Sequence, residues 1–181
     1  MINLFAQLEQ TSFGIFFPFL HILTSKTKGV TDMVKREDVS QDTVELLKEC
    51  DAGCKMAIDS MEQISKYVSD DKLQTIIQKY NGAHIKMEED IHRLLNNLGE
   101  EDKDPNLMAK ASSWLQSEVK MMMNCDAKQA AHLLTDGCNM GIKSLCEYKN
   151  QYKAADDQSV RMCEKLCDLE TKMTYDLQPF L

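Results

Sequence analysis

From Leu73 to Leu98 the residues Leu73, Ile77, Tyr80, His84, Met87, Ile91, Leu94 and Leu98 alternate by four and three positions. Steps of four and three keep one stripe of a 3.6-residue helix facing a neighbour, the pattern of a bundle seam. A helix with one apolar stripe cannot bury it alone, so the rest of the chain must supply partners. Upstream, Leu47, Cys50, Cys54, Ile58, Met61, Ile64 and Val68 trace a second stripe between Thr43 and Val68. Between the two, Ser69-Asp70-Asp71 offers side-chain acceptors for the first amides of the next helix. Gly99 ends the seam, and Pro105 follows an acidic linker, Glu100–Asp104, at the expected start of a further helix.

That further helix spans 106–123 and carries Leu107, Ala111, Trp114, Leu115, Val119 and Met122. A fourth run holds Ala130, Leu134, Cys138, Ile142, Leu145 and Tyr152. Asp156-Asp157 opens a last helix with Cys163, Leu166, Cys167, Glu170, Met173 and Leu177 on one face. Strand alternation is absent, and the chain's 7 Gly and 3 Pro leave few turns. The expected class is all-α.

An internal repeat organises these helices. The octet Gly53-Cys54-Lys55-Met56-Ala57-Ile58-Asp59-Ser60 aligns without gaps on Gly137-Cys138-Asn139-Met140-Gly141-Ile142-Lys143-Ser144, sharing Gly, Cys, Met, Ile and Ser. Each copy precedes a turn and another helix, so the chain reads as two helical hairpins. The Trp114 helix between them, at a rise of ~1.5 Å per residue, is about 27 Å long. It is long enough to carry the chain from one end of a bundle to the other. One long crossover between two hairpins is the ferritin-like topology, an up-down four-helix bundle with an additional helix.

The order hairpin, Leu98-Gly99-Glu100 linker, Trp114 helix, second hairpin resembles the ferritin-like family catalogued as domain of unknown function 2383. The resemblance covers roughly residues 40–178. It implies a four-helix ferritin-like fold and a bacterial source, and it implies no particular activity.

The first 32 residues stand apart. Five of the six Phe precede residue 20, and all seven Cys follow it. The apolar stretch Phe13–Leu23 is interrupted by Gly14, Pro18 and His21 and is about half the length a membrane helix needs. A signal peptide would carry a positive start, and here the first charge is Glu9. Lys28-Gly29-Val30 can be encoded by a purine-rich ribosome-binding sequence ahead of Met33. Either Met33 is the natural start, or residues 1–32 form a separate N-terminal segment. In both cases the expected domain is 33–181.

Charge narrows the partners. With 21 Lys+Arg against 29 Asp+Glu the net charge is −8, the wrong sign for a phosphate-backbone binder. Neither nucleic acid nor membrane is an expected partner; a second copy or another protein is. Seven cysteines within periodic segments read as reduced thiols in a cytoplasmic protein rather than a disulfide framework.

Di-iron bundles use inward Glu residues and Glu-x-x-His pairs. The one literal match, Glu89-Asp90-Ile91-His92, falls opposite the seam with Ile85 and Asn96, where both ligands are expected to face water. The last helix offers Glu170 without a His. An ordinary ferroxidase site is therefore not expected, and di-iron oxidoreductase chemistry ranks last. Polar residues that do fall on core faces are Cys54, His84, Glu88, Cys138 and Glu170, and Asp51 adjoins the first seam, level with Glu88. Layer counting from the turns sets Cys54 level with His84 and Cys138 level with Glu170. Thiolates with imidazole and carboxylate suit Zn²⁺, thiolates alone suit Cu(I), and iron is a third candidate. The same residues also read as a satisfied polar layer, with His84 bonded to a neighbour such as Glu88. Cys50/Cys54 and Cys163/Cys167 are Cys-x-x-x-Cys pairs that face one way on a helix. No phosphate loop, Gly-x-Ser-x-Gly or His-Glu-x-x-His occurs.

The expectation is a non-enzymatic cytoplasmic ferritin-like bundle with a binding, stress or storage role. The alternative is a transition-metal-binding protein using Cys54, His84, Glu88, Cys138 and Glu170.

Overall fold

The computed structural model describes residues 40–100 and 126–181. The boundary at 32/33, the Met33 start, most of the acidic linker and the Trp114 helix with Met121–Met123 lie outside the described residues. Among those described are four α-helices and no strand: α1 Gln41–Ser65, α2 Asp71–Leu98, α3 Ala127–Gln151 and α4 Asp157–Leu177, closed by a 3₁₀ turn Gln178–Phe180.

Each helix starts where a short acceptor side chain can take up orphan amides. Ser40 accepts from Asp42 N, Asp70 from Lys72 N and Leu73 N, Asp126 from Gln129 N, and Asp156 from Ser159 N. Such caps contribute ~1 kcal/mol each. Gly99 stops α2 with φ 76°, where its amide bonds back to the last turn and a side chain would be strained. The first stripe outruns its helix. Val68 lies beyond Ser65 in the turn yet is buried, its backbone carbonyl held by Gln74 Nε2 at 2.9 Å.

Helix directions follow from the contacts at each end. The α3–α4 turn docks on the start of α1, with Ala154 N donating to Asp42 Oδ2 at 2.8 Å and Asp156 N to Thr43 Oγ1 at 2.9 Å. So α1 runs antiparallel to α3 and parallel to α4. Near the start of α2, Lys79 Nζ and Tyr80 OH both donate to Asp176 Oδ2 near the end of α4, each at 2.8 Å. So α2 and α4 are antiparallel. Consequently α2 finishes at the end of the bundle where α1 begins, and α3 begins at the other end.

The apolar core divides accordingly. At one end Met61, Ile64, Leu73, Ile77, Leu134 and Leu177 pack together; at the other Leu46, Leu47, Ile91, Leu95, Leu145 and Leu166 do. Fully burying each such side chain is worth about 1.5–3 kcal/mol. Between the two clusters, partway along all four helices, the core turns polar. No described helix is long and apolar enough to cross a membrane.

Candidate metal centre

The polar layer centres on His84 and Glu170. His84 is completely buried and Glu170 is 6 % exposed. His84 Nδ1 lies 2.8 Å from Tyr80 O one turn back, and Nε2 lies 3.1 Å from Glu170 Oε1 on α4. A carbonyl oxygen only accepts, so Nδ1 carries a proton, and Nε2 is left to share the other position with the Glu170 carboxyl. The same carboxyl lies against α3, its Oε1 3.5 Å from where a Cβ on Gly141 would stand, one turn from Cys138. The structure thus joins His84 and Glu170, while Cys54 and Cys138 lie in the two separate apolar clusters. His84 is answered from across the bundle by Glu170.

The Cys54 and Cys138 thiols are poor ligands as they stand. Burial, then the charges of Asp51, Glu170 and Glu88, pushes Cys54 far above the ordinary thiol range. Burial and then Glu170 do the same to Cys138. Both are held protonated at neutral pH, while metal ligation needs thiolate. Nor do the four ligand atoms converge. Among the described residues, one group of three or more His, Cys, Asp or Glu has ligand atoms all within 4.8 Å of one another, and it is Asp51, Glu88 and His92.

That triad sits one turn from the polar layer, in the groove between α1 and α2. Asp51 comes from α1, three residues before Cys54; Glu88 and His92 are four apart on α2, one above the other. Asp51 is 3 % exposed, and Glu88 and His92 are half-buried. Asp51 Oδ2 pairs with Lys55 Nζ at 2.9 Å, the next turn of the same helix. Its other oxygen, Oδ1, is buried, accepts no hydrogen bond, and stands 2.9 Å from His92 Nε2. Two atoms bound to one ion at about 2.0–2.2 Å with a right angle between them would be separated by about 2.8–3.1 Å.

Of the residues singled out from the sequence, Glu88 belongs to this triad, His84 and Glu170 pair in the polar layer beside it, and Cys54 and Cys138 sit in the two apolar clusters. Glu89 is exposed, as its place opposite the seam predicts. His92 is not turned to water. It sits on the flank of the seam rather than opposite it, and its long side chain reaches sideways to Asp51. The spacing Glu88-x-x-x-His92, with Asp51 level with Glu88, was the available signal.

Cys50 and Cys163 are buried in the same apolar cluster, where Cys163 Sγ donates to Leu145 O at 3.5 Å. The neighbouring Cys163 thiol, then burial, pushes Cys50 well up. Cys167 is pushed up to about 12, mainly by burial. All six described cysteines are free thiols. No family model, curated protein or solved structure matches this chain.

Proposed function

We propose that this chain is a cytoplasmic, non-enzymatic, ferritin-like bundle that holds one divalent transition-metal ion between α1 and α2, on Asp51, Glu88 and His92. The observation that carries the reading is the buried Asp51 Oδ1, which accepts no hydrogen bond and lies with a carboxylate and an imidazole inside 4.8 Å. A buried carboxylate is costly to desolvate, and a bound cation would add to the compensation that Lys55 and the His92 ring, each at 2.9 Å, already give it. Two carboxylates balance the charge of a divalent ion. One imidazole among oxygens favours Zn²⁺, Fe²⁺ or Mn²⁺ over Ca²⁺ or Mg²⁺, which take oxygen ligands. Three protein ligands leave the outer positions to water.

The ferritin-like topology is part of the proposal. It is supported by α2 ending and α3 beginning at opposite ends of the bundle, and by the resemblance in helix order. A single ion rather than a pair is favoured because the corresponding residues of the second hairpin carry no ligands of this kind. The test is calorimetric titration of Zn²⁺ and of Mn²⁺ into chain purified without chelators. One ion per chain is expected to bind, and Asp51→Asn and His92→Gln are each expected to weaken it by more than ~100-fold, beyond what outer-shell changes cost. Equal binding by wild type and both variants, with helical content intact, would refute it.

A further inference from the structure

Asp51 meets two groups at once, one on each oxygen. Oδ1 faces His92 Nε2 at 2.9 Å, while Lys55 Nζ, one turn on along α1, stands 2.9 Å from Oδ2. The Lys55–Asp51 pair is largely out of water, with side-chain exposures of 18 % and 4 %. Such a pair is screened much less than one on the surface, so the ammonium keeps Oδ2 occupied. The second hairpin lacks both members together: on the octet alignment Asp51 meets Thr135, and Lys55 meets Asn139, which is exposed. We propose that Lys55 determines the specificity of the Asp51, Glu88 and His92 site: by holding Oδ2 it limits Asp51 to one ligand atom and makes the site select Zn²⁺ over Mn²⁺. This inference rests on the divalent site proposed above and adds which ion that site takes.

The selection follows from coordination number. A chelating carboxylate puts both oxygens on one ion, a mode used by ions that gather a large oxygen shell. Here chelation would bring a dication onto the oxygen that the ammonium already holds, setting two cations against one atom with little water between them. Binding through Oδ1 alone keeps the ion on the His92 side, away from Lys55. Giving one atom, Asp51 joins Glu88 and His92 in a three-ligand set with a fourth place for water, the open tetrahedral arrangement that suits zinc. Mn²⁺ asks for an octahedral, oxygen-rich shell and is one ligand atom short there. The ammonium also makes the empty site less negative, which weakens every dication alike. Only the loss of Oδ2 distinguishes one ion from another. Lys55 itself ligates nothing; it positions Asp51.

The test titrates Zn²⁺ and Mn²⁺ separately into the full chain, in wild type, Lys55→Met and Lys55→Arg. Met keeps the apolar stem without the charge, and Arg keeps a cationic donor. Lys55→Met is expected to tighten Mn²⁺ more than Zn²⁺, reducing the preference for zinc by ~10-fold or more, the size of outer-shell effects on metal sites. Lys55→Arg is expected to retain the preference. Co²⁺ gives a second reading in wild type: its visible bands are intense with four ligands and weak with six, and the intense form is expected. Circular dichroism checks the fold, and if Lys55→Met unfolds, the cobalt spectrum decides. A folded Lys55→Met with the wild-type preference overturns the inference and leaves the divalent site standing, as does a weak, six-coordinate cobalt spectrum. A preference lost equally in Lys55→Arg also overturns it. A wild type that binds neither zinc nor manganese overturns the site itself, and this inference with it.

Discussion

The contact between His84 and Glu170 makes a prediction that its geometry sizes. Glu170→Leu leaves His84 Nε2 facing hydrocarbon in a site with no exposure. Removing one member of a buried, hydrogen-bonded pair of ionisable groups costs about 3–5 kcal/mol, against ~1 kcal/mol for an ordinary hydrogen bond. The compact unit Ser40–Leu181 is of a size at which 1 kcal/mol moves the midpoint by roughly 3–5 °C. Glu170→Leu is therefore expected to lower Tm by about 10–25 °C. His84→Leu strands the carboxyl instead and should cost a similar amount. The double variant removes both demands together and should fall within about 2 kcal/mol of wild type, because well-packed apolar replacements of buried pairs are near neutral. Glu170→Gln keeps a partner for Nε2 and should cost less than half of Glu170→Leu. Urea unfolding followed by far-ultraviolet circular dichroism gives all four free energies. A coupling energy below about 0.5 kcal/mol, the scatter expected of independent sites, would refute the reasoning.

Other outcomes follow from local geometry. A Cβ at Gly82 or Gly137 would meet no atom within 4 Å, and both sit inside helices, so Gly82→Ala and Gly137→Ala should each add ~0.5–1 kcal/mol in the same assay. Gly141→Ala should add less, since its methyl would stand 3.5 Å from Glu170 Oε1. In alkylation followed by peptide mass mapping, exposed Cys146 should label first, while Cys54 and Cys138, buried and held protonated, should label only on unfolding. Equal labelling rates would contradict that burial. Lys79, then Tyr80, holds Asp176 below the usual carboxylate range, so the contact supports the fold above about pH 4 and loses its effect as pH falls through the lowered value. Asp176→Asn should flatten the acid side of the stability profile; an unchanged slope would show the contact to be inert.

The helices were legible because their stripes and caps are local. The α2 seam lies on the observed helix from Leu73 to Leu98, Asp70 and Asp156 cap as their position before each stripe predicts, and Gly99 takes the left-handed stop. Layer counting from the first turn places Asp51 level with Glu88, and their ligand atoms lie within 4.8 Å, since two helices leaving one turn rise equally per residue. What counting along single hairpins cannot supply is the angular position of a residue on the flank of a stripe. His92 is one residue past Ile91, which turns it about 100° from that side chain. Whether that flank meets water or the adjacent helix depends on how α1 lies against α2, a tertiary quantity. The partner of His84 was misplaced for a related reason. Glu88 is nearer in sequence, four residues on along the same helix, while Glu170 reaches the ring only because α4 packs antiparallel to α2.

The position of the polar layer follows from the two hairpins themselves. Setting Asp70 on Asp156, the acidic caps of α2 and α4, brings His84 onto Glu170, so the pair that meets in the core occupies one position of a repeated unit. Two copies of Glu there would bring two carboxylates together, where repulsion forbids both to ionise. Two copies of His would place two imidazoles edge to edge, each already committed through Nδ1 to its own helix. One His against one Glu is the combination that satisfies both from inside the bundle. The divergence then spreads one turn along. On the octet alignment Asp51 meets Thr135, and on the cap alignment Glu88 and His92 meet Thr174 and Gln178. Thr135 Oγ1, like Asp51 Oδ1, is buried without a hydrogen bond. A neutral hydroxyl tolerates that position at modest cost. A carboxylate there needs positive charge nearby, and the first hairpin supplies Lys55 at 2.9 Å with an imidazole and a second carboxylate beside it.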